Sequence, residues 1–284
     1  MKSREKITDN NRHMGKYKKI DSKEQKEYIF TILSDFADYC EDNGLDYSLC
    51  GGTLLGAVRH KDFIPWDDDV DVFMPRPDYV KLHRLLKEKK IKNNYIIKSL
   101  EAGNADFPFA KIIDTDTKLD PKYYSTDRNL WIDIFPIDGL PQNKEKGYKI
   151  LVIANKIKKM YEKSVIKIGT GKTQFRALAK MPVLIVFHGI GAKRFGTILN
   201  KIALRYDYAS SEIIGAIAWS CGKCERMKKK IFEKKTYLSF HGKKLRAIKN
   251  YDKYLKKMYG NYMELPPEDK RIVHELGNVY AKVR

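Results

Sequence analysis

Residues 51–72 read GGTLLGAVRHKDFIPWDDDVDV, and the acidic end of that stretch decides how the chain is read. The residues DVDVFM, from Asp69 to Met74, fit a β-strand. Side chains alternate faces along a strand, so Asp69 and Asp71 share one face while Val70 and Val72 point into a core. Carboxylates placed this way repel each other unless a cation lies between them. Oxygen ligands of this kind suit Mg²⁺ (or Mn²⁺), which keeps several waters and engages substrate phosphates. A third carboxylate on a neighbouring strand would complete a metal site formed by Asp69, Asp71 and Asp133. Asp133, in Trp-Ile-Asp-Ile-Phe, has the right setting; the competing reading is a structural Asp bonded to backbone. Asp67 stands close enough in sequence to reach the metal or accept a proton, whereas Asp68 reads as part of a solvated acidic turn.

Working back from the carboxylates, LDYSLC (45–50) alternates like a strand, and Gly51, Gly52 and Thr53 form a turn into a short helix. Glycine lets backbone approach a ligand closely, and a helix N-terminus offers N–H groups to phosphate. Arg59 and His60 fit either phosphate oxygens or a basic surface turn. Lys111, in FAKIID, is a charge inside an apolar strand, which calls for a partner: the carboxylates or a substrate phosphate.

Further out, residues 22–43 predict a helix, with Ile29, Leu33, Phe36 and Cys40 at helical spacing, a cap at Asp21 or Ser22 and an end at Gly44. Strands are expected at NNYIIKSL, FPFAKIID and WIDIFPID, the last stopped by Pro136, and helices at PRPDYVKLHRLLKEKK and 143–168. This predicts an α+β fold: a flexible basic arm at 1–20, a mixed-sheet core at 21–142, and a mainly helical C-terminal extension at 143–284. The pair Cys221 and Cys224 is half a zinc site at most and reads as two reduced thiols.

The chain has 284 residues and a net charge of +20, which fits phosphate-bearing substrates or an anionic membrane face, or simply a lysine-rich surface. A nucleic-acid module is disfavoured, because clustered carboxylates repel phosphate when no metal is present. No apolar stretch opens the chain and no run reaches a membrane span, so cytoplasmic residence is expected. Residues 156–194 are rich in Lys and Arg around the run Pro-Val-Leu-Ile-Val-Phe, with no acidic residue between Lys163 and Arg194. Each basic residue near an anionic surface contributes about 1 kcal/mol, so peripheral contact with the inner membrane face is a further expectation, set against a buried segment with a solvated basic flank.

The stretch Leu45–Met74, with FAKIID and WIDIFPIDGLP, resembles the signature of the LicD family and its fukutin-related members, and FHGKKLRAIKNYDKYLKKMYGNYMELPPEDKR (240–271) is similar to the family's closing segment. Together these cover roughly half the chain. The resemblance implies a nucleotidyltransferase-like fold. It implies transfer of a phospho-alcohol, foremost phosphocholine, from a CDP-linked donor such as CDP-choline to a hydroxyl of a glycan, lipid-linked or not, with CMP released. Gly51 and Gly52 match the phosphate-facing turn, Asp69 and Asp71 the metal pair, and Asp133 the third carboxylate. The departure is His241, where an acidic residue is expected. The segment 145–235 matches little and is expected to set the acceptor. For choline, aromatic faces are required; Trp66, Tyr79, Tyr123, Tyr124 and Trp131 are the candidates. A glycosyltransferase or an enzyme transferring a nucleoside monophosphate would share the acidic pair and stand as alternatives.

Overall fold

The structure, a computed structural model, describes residues 16–120, 129–169, 174–271 and 277–283. Strand β1 (Tyr17–Ile20) leads into helix α1 (Ser22–Asp42). The Asp21 carboxylate accepts the Glu24 amide at 2.7 Å and the Glu24 carboxylate accepts the Asp21 amide at 3.1 Å, so two orphan donors of the first turn are satisfied reciprocally. Ile29, Leu33, Phe36 and Cys40 are all buried, as their spacing predicts. Each large apolar side chain buried this way contributes ~1.5–3 kcal/mol. The helix ends at Asn43, and Gly44 turns the chain with φ +57°.

The core then follows in the expected order: β2 (Ser48–Leu49), α2 (Gly51–Arg59), β3 (Asp71–Pro75), α3 (Arg76–Glu88), β4 (Tyr95–Ser99), β5 (Ala110–Asp114), β6 (Thr117–Asp120) and β7 (Leu130–Leu140). Two details differ from expectation. Strand β3 opens at Asp71, not Asp69, because ladder bonding starts only where the Val70 carbonyl accepts the Asp133 amide at 2.8 Å. Strand β7 also runs through Pro136. Its antiparallel partner β5 ends opposite Ile134, and its next partner, β8 (Ile213–Gly215), begins opposite Asp138. Pro136 falls in the gap between them, where a missing N–H costs no ladder bond on that side.

After β7 come α4 (Lys144–Val165), α5 (Gln174–Ile190) and α6 (Ala192–Ala203), then β8, β9 (Met227–Lys228), α7 (Lys229–Glu233), β10 (Lys235–Phe240), β11 (Lys243–Ile248), α8 (Tyr251–Tyr259) and β12 (Asn278–Lys282). The second half thus holds more helix than strand, but among the described residues it also contributes strands β8 to β12. Among the described residues the larger sheet has nine strands, ordered β10-β11-β2-β3-β7-β5-β4, with β8 on β7 and β9 on β8. Pairing is parallel for β11–β2 and β3–β7 and antiparallel elsewhere, so the chain is a mixed α and β protein with a mixed sheet. The segment expected as a helical extension thus adds strands to the core's own sheet. A second sheet runs β1-β12-β6, so residues 17–20 of the expected arm are a paired strand; residues 1–15 lie outside the described part.

The β10–β11 hairpin turns at His241 (φ +48°) and Gly242 (φ +81°). The His241 ring lies 2.8 Å from Asp62 and 3.1 Å from Glu27, and its amide donates to the Lys61 carbonyl, so the turn is docked on the loop after α2. The departure from the family pattern thus has partners of its own: two carboxylates that a cation satisfies and an acidic residue would not. Burial opposes a charged imidazole, but the bonds to Asp62 and Glu27 prevail and its pKa lies above the ordinary value. A raised folded-state pKa stabilises the protein fully below the unfolded value of about 6.5, and the gain is lost as pH rises through the folded value. In thermal melts, His241→Gln is expected to lower the melting temperature more at pH 5.5 than at pH 9; an equal deficit at both would assign the effect to turn geometry alone.

Candidate active site

Parallel pairing of β3 with β7 puts Asp71 directly opposite Asp133, and antiparallel pairing of β7 with β5 puts Asp133 directly opposite Lys111. Residues opposite one another on adjacent strands project from the same face. Asp71, Asp133 and Lys111 therefore form one row across three strands, drawn from three motifs far apart in sequence. Lys111 Nζ lies 3.4 Å from Asp133 Oδ1, and Trp131 Nε1, two residues along the same face, donates to Asp133 Oδ2 at 3.1 Å. The ammonium also sits 3.8 Å from the Trp131 ring centroid and faces Phe107 and Phe109. This accounts for a lysine only 6% exposed inside an apolar strand.

The carboxylates crowd one another. Burial, then the charges of Asp69, Asp133 and Asp67, hold the Asp71 carboxyl well above the usual carboxylate range, with Lys111 pulling the other way. Asp69 precedes β3, so it joins the cluster from the approach to the strand. Among the described residues, no three His, Cys, Asp or Glu side chains are closed into a metal-holding set. What does fit a hard divalent cation is the donor chemistry: oxygen ligands on adjacent strands, at a place where added positive charge relieves repulsion.

The glycine turn faces this row. Gly51 has φ +54°, and a Cβ there would stand 3.3 Å from Asp71 Oδ2. A Cβ on Gly52 would come within 2.6 Å of Asp67 Oδ2, closer than real contacts allow, so Asp67 lies directly against the turn. Thr53 is buried, and its hydroxyl accepts the Asp71 amide at 2.9 Å, fixing the start of β3. Arg59 and His60 stand at the end of α2, beside the tail. The Arg59 guanidinium donates to the carbonyls of Tyr262 (2.9 Å) and Glu264 (3.3 Å) and to His60 Nε2 (2.9 Å), so it clamps the tail onto α2. Burial, and then the Arg59 charge, push the His60 pKa below its ordinary value.

That clamp frames a cleft of about 440 Å³ between α2 and the tail, walled in part by Trp66, Tyr259, Tyr262 and Pro266. The Tyr259 hydroxyl reaches to 3.8 Å from the same Gly51 Cβ position, so the cleft adjoins the acidic row. The Tyr254 hydroxyl accepts the Gly51 amide at 3.4 Å. Tyr254, Tyr259 and Tyr262 were not singled out from sequence; the tail motif that contains them, KYLKKMYGNYMELPP, was the available signal. Of the aromatic candidates, Tyr79 is buried beneath Arg76, and the Trp131 face is taken by Lys111. Trp66 lines the cleft and carries the Arg271 guanidinium 4.6 Å from its centroid. Tyr123 and Tyr124 lie outside the described residues. Cys221 and Cys224 are both free thiols.

A row of carboxylates with one buried lysine, faced by a glycine turn at a helix start, defines a candidate site for phosphate chemistry on a mixed sheet. Residues 44–174 match the family model described as LicD/FKTN/FKRP, nucleotidyltransferase domain, the family that the motifs resemble. It is similar to the lipopolysaccharide cholinephosphotransferase LicD of Haemophilus influenzae, 29% identical over 271 residues that span 93% of this chain and 99% of that protein. That similarity runs through the 145–235 segment that the motifs alone did not cover. It is also similar to the ribitol 5-phosphate transferases FKRP of mouse and human, each 30% identical over 118 residues, or 40% of this chain and 20% of those proteins.

Proposed function

We propose that this chain transfers a phospho-alcohol, foremost phosphocholine, from a CDP-linked donor to a hydroxyl of a cell-surface glycan or its lipid-linked precursor, and releases CMP. The observation that carries the proposal is the Asp71–Asp133–Lys111 row beside the Gly51–Gly52 turn, in a chain similar over nearly its whole length to a cholinephosphotransferase. We assign Asp69, Asp71 and Asp133 as the residues that would hold Mg²⁺ or Mn²⁺. Bound there, the cation would neutralise the donor pyrophosphate and the charge that grows on the leaving oxygen.

The remaining work falls to positioned groups of the chain. Gly51 and Gly52 admit the pyrophosphate to the backbone because neither has a side chain to block it. Lys111 places a fixed, dry positive charge beside Asp133, where it offsets carboxylate repulsion and steadies phosphate oxygens. Asp67, packed on Gly52, accepts the proton of the attacking hydroxyl. Little covalent chemistry is required of the protein, and alignment with charge supplies most of the rate. The quaternary ammonium of choline would rest against Tyr259 and Tyr262 in the adjoining cleft, since cations bind aromatic faces.

Incubating purified protein with Mg²⁺ and a panel of CDP-alcohols tests the proposal. CMP release is expected, fastest with CDP-choline and abolished by EDTA. Release of pyrophosphate from nucleoside triphosphates, with no CMP from any CDP-alcohol, would move the assignment to nucleotidyl transfer.

A further inference from the structure

We infer that the bent pair α5–α6 is a membrane-docking surface that seats this protein on an anionic lipid leaflet. Between Glu162 and Asp207 the chain has no acidic residue, while nine Lys or Arg residues fall in the same stretch. Charge of one sign over that length calls for an anionic partner surface. The described part of α5 is apolar on two sides. Its inner side is spent on the protein: Leu184 is buried, and Phe187 packs on Phe195 at 5.8 Å with Lys163 5.3 Å from its ring. Its outer side is not. Val183, Ile185 and Val186 are 47%, 55% and 60% exposed, and Ile190 continues the stripe one turn on.

At Gly191, with φ +88°, the helix axis turns by 67° into α6. There Lys193 and Arg194 are exposed beside the exposed Ile198. An apolar crest is thus bracketed by cations, with Lys180 before it and Lys193 and Arg194 after it. No single helix among the described residues is long and apolar enough to cross a membrane. The bent pair keeps one side buried on the protein, at Leu184, Phe195, Leu199 and Ala203, so the arrangement fits a segment lying in the interface. In that position apolar side chains enter the acyl boundary and basic residues stay at the headgroups. Charge also decides against a second copy of this chain as the occupant, because pairing two such crests brings like-charged flanks together.

Sedimentation of the full-length protein with vesicles tests the inference, using pure phosphatidylcholine in one arm and an equal mixture of phosphatidylglycerol and phosphatidylcholine in the other. The protein is expected to bind the anionic vesicles at least tenfold more tightly, and to lose that binding as salt rises. The double variant Val183→Asp, Val186→Asp should bind the anionic vesicles at least tenfold more weakly with an unchanged melting temperature, since both side chains already face out. Lys193→Glu with Arg194→Glu should weaken binding in the same direction. Equal binding to the two lipid compositions, or full binding by both variants, would overturn the inference. A concentration-dependent dimer that only the Asp variant loses, without vesicle binding by the parent protein, would assign the crest to self-association instead and overturn it as well.

Discussion

Asp71→Asn is expected to reduce phospho-alcohol transfer by on the order of 10²–10³-fold while leaving the protein as stable as the parent, or more so. The Asp71 carboxyl is crowded by Asp69, Asp133 and Asp67 and is held well above the usual range, first by burial. A raised folded-state pKa stabilises the fold only while the group is protonated, and that gain disappears as pH rises through the folded value. Without metal the crowded carboxyl is a cost that grows as pH rises above the ordinary carboxylate range, and Asn removes it. Melting curves in EDTA should therefore show the variant gaining on the parent as pH rises from that range. Added Mg²⁺ should raise the melting temperature of the parent and not of the variant. Near-normal turnover of Asp71→Asn at saturating Mg²⁺ would remove Asp71 from the proposed metal site.

The largest loss of stability is expected at a different pair. Arg76, the first residue of α3, is bidentate to Asp138 near the end of β7, at 2.6 and 2.8 Å, and both side chains are almost wholly buried. The pair ties the β3–α3 turn to the strand that carries Asp133. Removing one member strands the other charge in the interior, which costs about 3–5 kcal/mol. Asp138→Ala is therefore expected to lose about that much in urea unfolding, and Arg76→Ala a similar amount. The double variant Arg76→Met, Asp138→Leu should recover most of it, because no charge remains to be desolvated. Activity per folded molecule should change little in the double variant. A cost below about 1 kcal/mol in either single variant would show water reaching the pair, as at exposed ion pairs.

These contrasts show which parts of the molecule could be read in advance. The alternation in DVDV correctly placed Val70 and Val72 in the core, and the 3.6-residue spacing of Ile29, Leu33, Phe36 and Cys40 correctly placed α1, because both signals are local. The strand itself begins at Asp71 and not at Asp69, since the ladder starts where the Val70 carbonyl meets the Asp133 amide on β7, some sixty residues away. The Asp71–Asp133–Lys111 row is a matter of register between distant strands, which no local pattern encodes; Asp133 was reached from its motif context and Lys111 from being a charge within an apolar strand. The β10–β11 hairpin carried a legible cue in His241-Gly242 between alternating residues, since such dipeptides supply the positive φ that tight hairpins need. The surrounding lysines hid it by making the segment look like a solvated helix. The bonds from Arg59 to the tail carbonyls of Tyr262 and Glu264 were likewise concealed by sequence distance.

On the proposed function, bond cleavage occurs between the two phosphates of a CDP-alcohol at a site built on Asp71 and Asp133. The most direct measurement follows phosphorus labelled separately at each position of CDP-choline, with Mg²⁺ and a glycan acceptor present. The account predicts that label next to choline appears on the glycan, that label next to cytidine leaves as CMP, and that Asp71→Asn and Asp133→Asn suppress both. Cytidine-side label on the acceptor, or transfer undiminished in the two variants, would contradict it.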